Sequence, residues 1–173
     1  MILGPTPFTL KDGTPLTLRS PLEADAAAVL AYAQAMLRES HANMNHGPTG
    51  FDGLSVADEA RILAEAAATP GAFFLSAFDA AGRVVGNLSL MRAKLPKLAH
   101  SGQFGMGCLA THHGQGLGRA LLARTIAEAQ AAGVWRLQLQ VRTYNAPAIA
   151  LYESLGFTRA GTLHAHCLLE DGG

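Results

Sequence analysis

The segment from Cys108 to Leu122 carries three alternate glycines, Gly114, Gly116 and Gly118, directly before an amphipathic helix. A predicted strand at residues 102–109 precedes them, so the order is strand, glycine turn and helix. The first turn of a helix has unpaired N–H groups and the positive end of the helix dipole. Glycines let a diphosphate approach that backbone closely. The segment therefore predicts either a phosphate-binding turn or a tight turn whose glycines only permit close packing of helix on strand.

Two other phosphate-binding motifs do not fit the chain. A P-loop requires Gly-Lys-Ser/Thr, whereas Gly118 is followed by Arg119 and Ala120. The run from Gly105 to Ala110 matches G-x-G-x-x-A, but more loop follows it and it closes no first βαβ unit. These mismatches disfavour an unrelated nucleotide-binding protein.

The hydrophobic pattern predicts elements in the order β-α-α-β-β-β-α-β-α-β. Strands are predicted at residues 16–19, 72–78, 84–91, 102–109, 135–141 and 158–169. Helices are predicted to begin at Ser20, Ser55, Leu117 and Asn145. At the first of these, Ser20, Pro21 and Glu23 have the pattern of a capping box. Strands joined by hairpins and then by helical crossovers indicate an α/β (α+β layered) fold with a mixed, mostly antiparallel central sheet and helices on both faces. The length fits one domain over residues 1–173.

Composition excludes several classes of protein. Hydrophobic residues make up 49% of the chain and charged residues 15%, which is unlike a disordered protein. Thirteen basic and thirteen acidic residues cancel, and no run of like charge predicts a nucleic-acid or membrane partner. Two cysteines are too few for a disulfide framework, and no signal peptide or membrane-spanning run is recognised. A cytoplasmic location is expected.

Two motifs resemble those of one enzyme family. His113 to Gly118 resembles the acyl-CoA signature Arg/Gln-x-x-Gly-x-Gly/Ala of the GCN5-related N-acetyltransferases (GNAT). Asn145 to Phe157 resembles the second motif of that family, N-x-x-A-x-x-L-Y-E-x-x-G-F. Val85 to Leu88 resembles its third strand, and the likeness extends over roughly residues 16–163. The two motifs in the right order make the resemblance specific.

The resemblance implies a transfer of the acetyl group of acetyl-CoA to a primary amine, by direct attack in a ternary complex. His100, Gly102 and the run Gly105–Gly107 look like a bacterial branch that acetylates amino acids or other small amines. The expected partner is thus a small-molecule amine or amino acid, and a homodimer is a possible assembly. The alternative is a degenerate GNAT-fold module that binds acyl-CoA or another protein without turnover.

The resemblance also implies the site residues. Backbone N–H groups of the glycine turn would hold the CoA pyrophosphate, and the pantetheine arm would lie along the strand that ends near Cys108. Asn145 would contact the pantetheine, and Tyr152 would protonate the leaving thiolate. The expected cofactor-binding residues are Met106, Cys108, His113, Gly114, Gln115, Gly116, Leu117, Gly118, Arg119, Asn145 and Tyr152. The expected catalytic residues are Tyr152 and, as a minor proton relay, His100.

The chain departs from the family pattern at two points that concern chemistry. His113 replaces the usual Arg or Gln, and no Asp or Glu lies between Asp79 and Glu128, so the carboxylate base expected on a central strand is missing. Deprotonation of the amine is therefore expected through water or in solution. Neither His112-His113 nor the run His164–Cys167 has zinc-site spacing, so no metal is expected.

Overall fold

The computed structural model describes residues 1–167 and contains one six-stranded sheet and four helices. The strands are β1 Thr6–Thr9, β2 Pro15–Arg19, β3 Phe73–Phe78, β4 Val84–Arg92, β5 Ser101–Cys108 and β6 Arg136–Gln138. The helices are α1 Ala26–Ser40, α2 Val56–Ala68, α3 Leu117–Ala131 and α4 Ala146–Glu153. The strands lie in chain order across the sheet, and only β5 and β6 are parallel. The prediction of a mixed, mostly antiparallel sheet is confirmed.

Helices cover both faces of the sheet, as predicted. On one face, the apolar side chains of α3 pack against the central strands; Leu88, Leu90 and Leu121 are fully buried there. On the other face, α1 and α2 form a second cluster that includes Val29 and Leu63. Burial of two separate faces requires side chains that alternate in direction along each central strand.

That alternation places small and polar residues on the α1–α2 face of β4 and β5. Between the buried leucines of β4, Asn87 and Ser89 point to the opposite face. The register pairs Asn87 with Gly107 and Ser89 with Gly105. Part of this face of the sheet is therefore lined by hydroxyl, amide and glycine positions rather than by large apolar side chains.

The predicted start of the first helix is wrong. The Ser20 hydroxyl accepts a hydrogen bond from the N–H of Leu3 (2.9 Å) and donates one to the carbonyl of Phe74 (2.7 Å). These bonds attach the N-terminal segment to β3, so Ser20 is not available to cap a helix. A short 3₁₀ turn over Glu23–Asp25 follows, and α1 begins at Ala26. At α2, by contrast, Ser55 caps the helix as predicted, and its side chain forms a reciprocal capping box with Asp58.

Three strand boundaries also differ from the predictions. Strand β1 was not predicted, and it is an edge strand with mostly exposed residues. Strand β6 ends at Gln138 rather than at residue 141, because its pairing with β5 stops there. Residues 158–167 of the predicted strand 158–169 form no strand and include a turn at 164–165; residues 168 and 169 lie outside the described residues. No helix within residues 1–167 is both long and apolar enough to cross a membrane.

The side chain of Thr125 on α3 is fully buried, and none of the described residues pairs with its hydroxyl. We expect Thr125→Val to raise the free energy of unfolding by about 1 kcal/mol, because valine keeps the shape and removes a desolvated, unsatisfied hydroxyl. Urea denaturation measures the change. Thr125→Ser, which keeps the hydroxyl and removes the methyl group, should be less stable than the wild type. A valine variant no more stable than the wild type would contradict the expectation.

Candidate active site

The glycine turn leads directly into α3. Gly114 and Gly116 have φ angles of 72° and 89°, in the region that glycine adopts without strain. Gly116 is the residue that caps the helix, and α3 begins at Leu117. The carbonyl of Gln115 accepts a hydrogen bond from the N–H of Lys11 (3.3 Å), so the loop between β1 and β2 supports the turn from behind. The geometry of the turn is therefore fixed by both its glycines and a neighbouring hairpin.

The turn presents its N–H groups to open space. Among the described residues, none accepts a hydrogen bond from the backbone N–H groups of residues 114–119, and the first bond of the helix runs from Ala120 to Gly116 (3.1 Å). A Cβ added at Gly114 would meet no atom within 4 Å, and one at Gly116 would meet only Phe8 at 3.9 Å. Unpaired donors at the positive end of a helix dipole form an anion-binding site.

Gly118 has a different role from the two preceding glycines. A Cβ at Gly118 would lie 3.2 Å from Leu151 and 3.5 Å from Met106. This glycine permits close approach of α3 to α4 and β5. The packing interpretation therefore applies to Gly118, whereas Gly114 and Gly116 have open surroundings, and their phosphate-binding role stays a prediction.

Two side chains next to the turn are held by protein groups. The guanidinium of Arg119 donates a hydrogen bond to the Ser154 hydroxyl (2.8 Å), which links α3 to the end of α4. Nε2 of His113 lies 2.8 Å from the carbonyl oxygen of Cys108, so the ring bridges the turn and the end of β5. In this arrangement both side chains are engaged by protein groups, and the backbone N–H of Arg119 has no partner among the described residues.

Strands β5 and β6 diverge after a short region of pairing. Strand β6 pairs with β5 only over Ser101–Gln103, and the rest of β5, up to Cys108, pairs only with β4. The N–H of Leu109 donates to the carbonyl of Val85 on the β4 side (3.0 Å). Because the direction of backbone groups alternates along a strand, those of Met106 and Cys108 face the side that β6 has left. This free strand edge lies next to the glycine turn.

Tyr152 lies close to this edge, on the face of α4 that packs on the core. Its ring is surrounded by Phe104 and Phe157, with centroids 6.0 and 6.1 Å away. Burial, with a smaller effect of nearby Cys108, raises the pKa of Tyr152 to about 12. The hydroxyl is therefore protonated at neutral pH, and none of the described residues forms a hydrogen bond with it. Such a phenol can donate a proton to a ligand.

Cys108 ends β5, and Asn145 precedes α4. Burial raises the pKa of the Cys108 thiol to about 12, so it is a neutral side chain and not a nucleophile at neutral pH. The Asn145 side chain caps α4 by accepting a hydrogen bond from the N–H of Ala148 (3.3 Å). That bond uses the amide oxygen of Asn145 and leaves its NH₂ group available as a donor.

His100 lies at the end of β5 opposite to the glycine turn. His100 precedes β5, and its imidazole stacks on the exposed Trp135 with a centroid distance of 4.4 Å. Seven residues of β5 lie between His100 and Cys108, and the eight residue steps correspond to about 26 Å of strand. The role of His100 as a minor proton relay stays a prediction.

Sequence analysis missed Tyr32 of α1. Its buried hydroxyl donates a 2.7 Å hydrogen bond to the carbonyl of Gly107, and burial raises its pKa far above the usual range. A Cβ at Gly107 would lie 2.6 Å from the terminal methyl of Met36 and 3.3 Å from the Tyr32 hydroxyl. The helix thus packs on β5 where the strand has no side chain. In the sequence, the alternate glycines Gly105 and Gly107 are the feature that indicates close packing of another element on this strand.

Sequence analysis also missed two carboxylates, because the family pattern indicates a base on a central strand and both lie on helices. Glu59 of α2 is 7% exposed and faces the space between α1, α2 and the sheet. Glu39, near the end of α1, accepts a hydrogen bond from the N–H of Ala110 (2.8 Å) and so holds the segment before the glycine turn. Among residues 1–167 no group of three or more His, Cys, Asp or Glu side chains is placed to bind a metal ion.

Two curated relatives match limited parts of the chain. The ribosomal protein bS18-alanine N-acetyltransferase of Escherichia coli strain K12 is 63% identical over 46 residues, which are 27% of this chain and 31% of that protein. The mycothiol acetyltransferase of Salinispora tropica is 40% identical over 88 residues, which are 50% of this chain and 29% of that protein. The chain therefore spans about a third of the length of the curated relatives it matches.

A solved structure and a family model match a much larger part. The crystal structure of a GNAT-family acetyltransferase from Streptococcus pneumoniae has a TM-score of 0.84 and 27% sequence identity, and the match covers 91% of this chain and 93% of that one. Residues 38–157 match the model of the Acetyltransferase (GNAT) family. Because that match spans well over half of the chain and includes the glycine turn, β5 and α4, this protein belongs to the GNAT acetyltransferase family, as the resemblance predicted.

Proposed function

We propose that this protein transfers the acetyl group of acetyl-CoA to the primary amine of a small molecule or amino acid, by direct attack in a ternary complex. One observation carries the proposal: a glycine turn with unpaired N–H groups at residues 114–119 adjoins the free edge of β5. Membership of the GNAT family supports the same activity.

The glycine turn is the proposed binding site of the CoA pyrophosphate. The N–H groups of residues 114–119 and the dipole of α3 favour an anion there. Because the guanidinium of Arg119 is bound to Ser154 and the ring of His113 to Cys108, both residues contribute through their backbone. The glycine turn is therefore expected to bind the pyrophosphate even though His113 replaces the usual Arg or Gln.

The free edge of β5 is the proposed binding site of the pantetheine arm. Peptide-like groups can pair with an unpaired strand edge as an additional strand does. The N–H and C=O groups of Met106 and the N–H of Cys108 are available for this pairing, whereas the Cys108 carbonyl is bound by His113. One N–H donor in this stretch would polarise the thioester carbonyl. The free amide donors of Asn145 complete the polar contacts.

Tyr152 is the proposed general acid. Collapse of the tetrahedral intermediate releases a thiolate, whose conjugate acid has a pKa of roughly 8.5 by analogy with cysteine. A phenol whose pKa is about 12 remains protonated at neutral pH and can supply the proton. The aromatic rings of Phe104 and Phe157 hold the phenol in place.

The proposed acceptor is small and enters from the side of α1, α2 and the loop at residues 41–51. The relatives named above act, by their names, on a ribosomal protein alanine and on mycothiol. Zero formal net charge without charged runs gives no sign of a nucleic-acid or highly charged protein substrate. A panel of amines, amino acids and alanine-starting peptides, assayed for release of the CoA thiol, distinguishes these acceptor classes. The panel also tests the alternative of a binding module without turnover, which the absence of acidic residues between Asp79 and Glu128 favours.

Gly116→Asp should abolish acetyl-CoA binding in calorimetry, because the new carboxylate would repel the pyrophosphate and the φ angle of 89° disfavours any side chain. Gly82→Asp is the matched control: Gly82 also has a positive φ (77°) and open surroundings, but it lies in the turn between β3 and β4. That variant should bind acetyl-CoA like the wild type. Equal affinity in the two variants would exclude the glycine turn as the binding site.

Tyr152→Phe should lower kcat by roughly ten- to ten-thousand-fold, the range for loss of one general acid. Phenylalanine preserves the ring contacts with Phe104 and Phe157, so acetyl-CoA affinity should stay within a few-fold of the wild type. Steady-state kinetics with the best amine of the panel measure the first quantity and calorimetry the second. Wild-type turnover in the variant would remove Tyr152 from the mechanism.

A further inference from the structure

Glu59 lies on the inward face of α2. Glu59, Leu63 and Ala66 are the buried residues of this helix, and their spacing places them on one side of it. Leu63 packs in the cluster that joins α2 to α1 and to β3. Glu59 is one turn closer to the start of the helix and is 7% exposed, so a carboxylate occupies a position where an apolar side chain would be expected.

No protein group compensates the charge of this carboxylate within residues 1–167. None of the described residues donates a hydrogen bond to it or forms an ion pair with it. Asp25, a partly buried acid on the same side of the sheet, is by contrast bound by both terminal nitrogens of Arg19 (2.6 and 2.8 Å). Burial without a partner is costly for a carboxylate, and it raises the pKa of Glu59. The carboxylate oxygens of Glu59 are not among the fully buried, unpaired atoms of the described residues, so they are accessible from the cavity that Glu59 lines. An acid without a protein partner in such a cavity is a candidate functional group.

The space in front of Glu59 is open and reaches β5. Tyr32, Phe74, Ser89 and Gly105 line the same cavity as Glu59. A Cβ added at Gly105 would meet only the Ser89 hydroxyl, at 3.9 Å, so no protein atom fills the space above this glycine. Gly105 is adjacent in the chain to Met106, whose backbone faces the proposed pantetheine site on the other strand edge. Glu59 on α2 and Gly105 on β5 therefore border the same large cavity.

We infer that Glu59 binds the acceptor as its ammonium ion and takes the first proton from it, so that this enzyme selects small cationic primary amines. The inference rests on the function proposed above and specifies the charge of the acceptor. An ammonium ion would supply the opposite charge that the Glu59 carboxylate lacks. The open space above Gly105 leaves room for a small amine.

The proton balance of the reaction is complete with these groups. An N–H proton of the ammonium ion passes to the Glu59 carboxylate, and the freed lone pair forms the C–N bond to the thioester carbonyl. The C–S bond then breaks, and the thiolate takes the Tyr152 proton. The nitrogen loses its second proton, which restores Tyr152 through water, and Glu59 returns its proton to solvent. Overall, the ammonium ion loses two protons, one to the CoA thiol and one to solvent.

Glu59→Gln tests the inference because glutamine keeps the shape and removes the charge. With benzylamine, which is cationic at pH 7, kcat/KM should fall by about a hundredfold or more, as for loss of a general base. With aniline, which is neutral at pH 7, it should stay within about threefold of the wild type. Glu65→Gln, at an exposed position of the same helix, is the control and should change neither value. Equal losses for the two amines, or no loss for benzylamine, would overturn the role of Glu59.

Binding measurements keep the test independent of turnover. Calorimetry with CoA present should show benzylamine binding to the wild type and to Glu65→Gln but not to Glu59→Gln, while all three proteins bind acetyl-CoA equally. Thermal unfolding should show Glu59→Gln at least as stable as the wild type, because an unpaired buried charge has been removed. If benzylamine binds through Glu59 but no amine is acetylated, the proposed function fails and the site stands. If amines are acetylated but benzylamine binding is the same in Glu59→Gln, the site fails and the function stands.

Gly105→Val tests the position of the acceptor separately. Valine is compatible with a strand, and its side chain would fill the open space above Ser89. We expect both amines to lose turnover by at least tenfold while acetyl-CoA affinity stays within a few-fold. Turnover of both amines at the wild-type rate in this variant would show that the acceptor does not lie over Gly105, and would overturn the inference.

Discussion

The divergence of β5 from β6 is the constraint on which the rest of the site depends. Backbone N–H and C=O groups must be paired or exposed to water, and a sheet normally pairs them strand by strand. Here the parallel pairing covers only Ser101–Gln103, although β5 continues to Cys108. The β5 groups on the side that β6 has left are the proposed template for the pantetheine arm. The first turn of α3, reached through the glycine turn, adds a second set of unpaired donors at the end of the same strand.

Side chains along β5 alternate between the two faces of the sheet, and this alternation separates the proposed sites of the acyl donor and the acceptor. On β5, Phe104, Met106 and Cys108 point towards α3 and α4, and their packing holds Tyr152 beside the free edge. The intervening glycines, Gly105 and Gly107, face α1 and α2. At Gly107, α1 closes on the strand through Tyr32 and Met36, whereas the space over Gly105 remains open. One strand thus contacts the proposed acyl donor along its edge and the proposed acceptor across its α1–α2 face.

Local signals in the sequence predicted the parts of the site that are built locally. The glycine turn, the cap at Ser55 and the helix after Asn145 each depend on residues within one or two turns of the chain, and each is found where it was expected. Ser20 had an equally good local capping pattern, but distant Leu3 and Phe74 bind its hydroxyl. Tyr32 and Glu59 were missed for the same reason, because their roles come from packing of α1 and α2 against strands far away in the sequence. The length of β6 likewise depends on its pairing partner rather than on its own alternating pattern.

Desolvation acts in the same direction on three acids of the site, but its consequence for each proposed function differs. Burial disfavours the charged form, so it raises the pKa of Cys108, Tyr152 and Glu59 alike. A thiol and a phenol start above neutral pH, and the rise only keeps them protonated; the thiol is then inert, while the phenol remains a proton donor. A carboxyl group starts well below neutral pH, and the same rise gives it a greater affinity for a proton. A single physical effect therefore suits the proposed proton donor on one side of the sheet and the proposed proton acceptor on the other, and the proposed acceptor on α2 would take the place of the acid missing from the central strands.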